Sequence, residues 1–161
     1  MSPEFQSLIQ QVAAGQSLAR MDVARFSPTD IRLGIQWLMA EEKNDMAQAL
    51  ADAGIAIHPQ SEDILAMAGL LAMTRQDWPL AIELLADLQA IQQERTQPMT
   101  YRMLARALVC FLEPAEAAHV IEQGLAHWPA DADLLAEREA LVGMALAVPT
   151  SEDAGLGGIS H

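Results

Sequence analysis

The sequence predicts an all-α protein in which helical hairpins stack into a right-handed solenoid. Three observations lead there. Apolar residues make up 52% of the 161-residue chain, yet only 4% are aromatic. The apolar surplus is Ala and Leu, which favour helices over strands. Apolar positions recur at helical spacing in segment after segment, with short breaks between them. Finally, the segments repeat, with small and large residues falling at the same places in successive units.

Taken in order, Ser2-Pro3 is a cap followed by a first-turn proline, and it opens a helix that Gly15 stops. A short irregular helix is expected over Leu18 to Arg25, and Ser27-Pro28 then repeats the start signal. Further helices are expected at about 28–42, 44–57, 61–75, 77–91, 97–111, 114–127 and 131–147. In "TRQDWPLAIELL" the carboxylate of Asp77 can accept a bond from an orphan amide, and Pro79 stands where a missing N–H does no harm. Connections this short make successive helices antiparallel neighbours. The last helix, "DADLLAEREALVGMAL", has Asp131 or Asp133 as its cap and is expected to seal the open end with a charged outer face. One domain over residues 1–148 is expected, with 149–161 as a disordered tail.

The register is explicit. Ala47, Ala81 and Ala117 align, followed by Ala51, Leu85 and Ile121, then Gly54, Leu88 and Gly124. Upstream lie Ile31, Leu65 and Tyr101, then Ile35, Gly69 and Ala105, then Leu38, Ala72 and Leu108. Small residues recur where the two helices of a hairpin approach closely. This is the pattern of a tetratricopeptide repeat, whose period is about 34 residues. The repeats fall at about 28–60, 61–95 and 98–130, with "QERTQP" inserted before the third and a capping helix at 131–147. Gly34 departs from the pattern, standing where a large apolar residue is expected.

A net charge of −13 argues against nucleic acid and against anionic membrane surfaces. The longest apolar run, Ile64 to Met73, falls short of the roughly 20 residues that span a bilayer. The N-terminus lacks the features of a secretory signal. Cys110, the single cysteine, has no internal disulfide partner and reads as a buried structural thiol in a reducing compartment. A cytoplasmic location is expected. His58, His119, His127 and His161 form no metal-ligand pair, and no phosphate loop is present. No metal, cofactor or enzymatic activity is expected.

Stacked hairpins of this type bind partners along the face lined by their first helices. In register, that face carries Arg32, Gln36 and Met39 in unit one, and Ala66, Leu70 and Met73 in unit two. Unit three contributes Arg102, Arg106 and Val109. Only 9 residues are Lys or Arg, so three arginines here stand out. Arginine's planar fork suits carboxylates and carbonyls, while flexible Met suits varied side chains. The alternative is that the arginines pair with acidic neighbours.

The layout resembles one family in particular. The helix ending in "AAGQSL", the lead "MDVARFSPTDI", "GLLAMTRQDWPLAIELL", the insertion near "ERTQP" and "RALVCFLEPAEA" are similar to the class II chaperones of bacterial type III secretion. That resemblance implies a cytoplasmic protein that binds an extended segment of a secreted translocator in its groove, preventing aggregation before export. It also implies homodimerisation through the N-terminal helix, with Phe5, Leu8, Ile9 and Val12 as the dimer face; the alternative is that this face packs on repeat one. The family tends to place aromatic residues where this chain has Arg32, Gln36, Arg102 and Arg106. A general tetratricopeptide scaffold and a needle-subunit chaperone of the same secretion systems are the competing readings.

Overall fold

Helix starts follow the caps. In the computed structural model, Ser2 Oγ accepts from the Phe5 amide, Ser27 Oγ from Asp30, Ser61 Oγ from Ile64, Asp77 Oδ1 from Leu80 and Asp131 Oδ1 from Leu134. Each bond satisfies a donor that a helix start leaves without a partner. Residues 1–15 and 23–147 are described; most of the helix expected over 18–25 and all of the tail at 149–161 lie outside them. The described helices are α1 (Pro3–Ala13), α2 (Pro28–Ala40), α3 (Asn44–Ile57), α4 (Glu62–Thr74), α5 (Trp78–Gln92), α6 (Pro98–Cys110), α7 (Pro114–His127) and α8 (Ala132–Ala147). No strand occurs among the described residues.

Helices α2/α3, α4/α5 and α6/α7 form three antiparallel hairpins. The same turn closes each one. Glu42, Gln76 and Leu112 take φ of 59°, 59° and 65°. The next amide in each case, from Lys43, Asp77 and Glu113, donates to Leu38, Ala72 and Leu108 carbonyls at 2.8, 2.9 and 2.8 Å. This left-handed stop satisfies helix-end carbonyls and is usually given to glycine. None of the three turns uses glycine, so the repeat is kept in the backbone more faithfully than in the residues.

First helices stack in one layer, α2–α4–α6–α8, and each second helix, α3, α5 and α7, packs against the first helix of its own hairpin and that of the next. Every apolar position of the three-unit alignment is buried between the layers. The "QERTQP" insertion becomes a 3-10 turn, Gln93–Arg95, followed by Thr96. It is tied down by Trp128 Nε1 donating to the Thr96 carbonyl at 2.9 Å and by Thr100 Oγ1 donating to the buried Gln92 Oε1 at 2.8 Å. Next to this insertion the first-helix layer opens. Helix α2 packs closely on α4, whereas α4 and α6 touch only sparsely.

At the two ends of the stack, α1 follows the alternative of packing on repeat one and α8 packs on α6 and α7. The expected dimer face is turned inward. Phe5, Ile9 and Val12 are buried against the first hairpin and Leu8 is half-buried on the same core. The reason is Gly34: a Cβ there would sit 2.6 Å from Phe5 Cε1 and 2.9 Å from Leu50 Cδ2. The glycine that broke the repeat pattern makes the notch for Phe5. Both ends of α1 are pinned as well, Ser2 N donating to Asp30 Oδ1 at 2.9 Å and Lys43 Nζ to the Ala13 carbonyl at 3.1 Å. At the other end, α8 mixes charged residues such as Arg138 and Glu139 with apolar ones on its exposed face. Its buried residue is Leu134, and Val142, Met144 and Leu146 are exposed, Leu146 at 82%. Aligned on Pro59 and Pro129, α8 matches α4, placing Leu134 on Ile64 and Val142 on Ala72. In this register α8 takes the first-helix position of the stack.

Candidate functional site

The opening between α4 and α6 is a cleft of about 470 Å³. Of the residues expected on this face, Arg32, Ala66, Leu70, Met73, Arg102 and Arg106 line it together. Gln36, Met39 and Val109 do not. Gln36 accepts a bond from Arg32 Nη1 at 3.4 Å, Met39 is half-buried on the core, and Val109 faces a smaller cleft against α8 with Cys110 and Met144. The cleft also holds Met67, Met99, Met103 and Asp63, which the expected stripe omitted. Its floor is therefore Met-rich, with Leu70 42% and Met99 56% exposed. Large apolar side chains are thus open to solvent along one cleft.

Charge is distributed unevenly along it. Arg32 forms no salt bridge among the described residues, and its hydrogen bond is to the neutral Gln36. Arg102 and Arg106, by contrast, converge on Glu137 of α8. Arg102 Nε lies 3.1 Å and Arg106 Nε 2.6 Å from the same oxygen, Glu137 Oε1. Asp133 adds a contact of 3.4 Å to Arg102 Nη1. The third-unit arginines thus follow the alternative reading of acidic pairing, while Arg32 has no ion pair among the described residues and shares the cleft with Asp63.

The other singled-out residues serve packing or face solvent. His58 Nε2 lies 3.3 Å from the Phe26 carbonyl, and His127 stacks on Tyr101. His119 contacts Gln123 on the surface, and His161 lies outside the described residues. Cys110 is exposed rather than buried, because it sits two residues past Leu108, off the buried stripe of α6. Among the described residues no three His, Cys, Asp or Glu side chains are grouped to hold a metal, and no helix is long and apolar enough to cross a membrane. A second apolar cleft of about 450 Å³ lies between α7 and α8, bordered by Pro114, Ala118, Leu141 and Met144.

No family model matches the chain, and no curated protein matches it either. Solved structures do. The first TPR of Spaghetti (RPAP3) bound to HSP90 peptide SRMEEVD superposes with a TM-score of 0.65 at 15% identity, covering 75% of this chain and 94% of that one. The RS-1 ArsTM double mutant of MamA gives 0.66 at 12% identity, covering 91% and 88%. YrrB, a TPR protein with an unusual peptide-binding site, gives 0.64 at 11% identity, covering 88% and 66%. At these identities the likeness concerns architecture: the chain is an all-α, tetratricopeptide-like solenoid.

Proposed function

We propose that this protein is a non-enzymatic interaction module that takes a segment of a partner protein into the cleft between α4 and α6. The single observation that carries this is the Met-rich cleft with solvent-exposed Leu70, flanked by Arg32 at one side and Arg102 and Arg106 at the other. An extended segment suits it, with alternate side chains entering the apolar floor. Arg32, which forms no ion pair among the described residues, favours a segment that also carries a carboxylate. The peptide SRMEEVD held by the Spaghetti domain is of that acidic kind, and YrrB also has a peptide-binding site. These neighbours support a general scaffold most directly. A narrower version makes the partner a secreted, translocator-like client held in the cytoplasm before type III export. Its support is the layout of N-terminal helix, three hairpins and final helix.

Selection from a random dodecapeptide library tests the reading. Peptides with spaced apolar residues and at least one Asp or Glu are expected. Leu70→Asp is expected to abolish their binding with little change in melting, since Leu70 is largely outside the core. Selected peptides that bind the variant with unchanged affinity would exclude the cleft. Purification from the native cell then separates the two versions. A single secreted protein lost from Leu70→Asp supports the chaperone, and several folded partners lost together support the scaffold.

A further inference from the structure

We propose that Glu137 is an internal occupant of a carboxylate position formed by Arg102 and Arg106, and that a bound partner's carboxylate displaces it. This rests on the cleft being the binding site. Both guanidinium groups reach toward the cleft, yet both are directed at one oxygen of one side chain from α8. A guanidinium presents a planar fork that is best matched by two carboxylate oxygens. Two forks sharing Oε1 leave that capacity partly unused. An incoming carboxylate offering both oxygens to either arginine can replace Glu137 only if α8 shifts enough to hydrate the Glu137 side chain, which is 17% exposed against 27% for Arg102 and 52% for Arg106.

The element that carries Glu137 is suited to give way. Leu134 is the one fully buried residue of α8 among those described, Leu135 and Leu141 are half-buried on the core, and the rest of the helix beyond Arg138 is exposed. Segments with few buried apolar contacts open at low free energy. The ion pairs holding α8 to α6 are partly solvated, which limits their contribution. Occupation of the cleft and the position of α8 are therefore coupled: Glu137 competes with acidic partners and keeps the site selective against weak ones.

The experiment uses a dodecapeptide selected on the full-length chain as above, together with its Asp/Glu→Asn/Gln counterpart. Calorimetry compares the parent protein with Glu137→Gln, which keeps the amide oxygen as an acceptor but removes the charge. The acidic peptide is expected to bind Glu137→Gln about fivefold to tenfold more tightly, the scale of one additional charge-assisted hydrogen bond. The neutral peptide is expected to bind both proteins alike. Adding Arg106→Gln to the variant is expected to erase the gain. Glu137→Asp, which retains the charge on a shorter arm, is expected to stay near the parent. Equal affinity of parent and Glu137→Gln for the acidic peptide overturns the proposal, as does an equal gain for the neutral one. A gain accompanied by loss of helical circular dichroism assigns the effect to the packing of α8 and also overturns it. If no peptide is selected, or selected peptides ignore Leu70→Asp, the cleft itself fails and this proposal falls with it.

Discussion

The two ends of the solenoid are closed in different ways. At the first hairpin, α1 inserts Phe5 into the notch above Gly34 and buries Ile9 and Val12 beside it. At the third, α8 buries Leu134, packs the half-buried Leu135 and Leu141 on the core, and adds charged contacts, Glu137 to Arg102 and Arg106, and Arg138 to Glu122 at 3.9 Å. Apolar packing of the first kind is lost only as a whole, because a removed side chain leaves a cavity the surroundings cannot fill. Partly solvated ion pairs can be exchanged for other charges at small net cost. On the proposal above, one end is a permanent seal and the other a replaceable one that borders the cleft.

The difference can be broken most severely at Phe5. Phe5→Ala is expected to destabilise the protein by about 3–5 kcal/mol, read by urea unfolding, with α1 lost from the first hairpin. Leu134→Ala is expected to cost about 2–3 kcal/mol of α8 docking. Here hydrogen exchange should accelerate in α8 while α2 to α5 keep their protection. Equal damage to both ends would contradict the asymmetry. Leu112→Gly sharpens the contrast from the other side. Leu112 is 85% exposed at φ 65°, so relief of left-handed strain should raise the stability of the third hairpin by about 0.5–1 kcal/mol. The same change should leave α8 exchange unaltered. Glu137→Gln should have the smallest effect on unfolding, under about 1 kcal/mol, and that loss should shrink further at high salt. A loss of several kcal/mol, independent of salt, would make α8 a permanent seal as well.

Most of the fold was legible in the sequence because it is written locally. Caps such as Ser27 and Asp77 and the spacing of small residues act within a helix or between adjacent ones. What was not legible depends on distant partners. Gly34 was visible as a departure, but its cause, Phe5, belongs to another helix. The left-handed turns were hidden because Glu42, Gln76 and Leu112 carry no glycine signal. At the site, Arg32, Leu70, Arg102 and Arg106 followed from register. Met67 and Met103 were missed because the stripe was taken one residue wide, whereas a helix presents a broader face. Glu137 had a signal that extending the register would have read. With Pro59 aligned on Pro129, Glu137 falls on Met67 and Asp133 on Asp63, both cleft residues. Cys110 was misplaced because composition alone favours burial of cysteine, while its position past Leu108 put it on the surface.

Whether the cleft between α4 and α6 is the binding surface is decided by NMR of the labelled protein, mapping amide shift changes on titration with a selected dodecapeptide. Changes are expected to concentrate on α4 and α6, at Ala66, Leu70 and Met103, and to extend to Arg32 and to Glu137 of α8. Changes confined to α3, α5 and α7, or centred on the apolar cleft between α7 and α8, would contradict it.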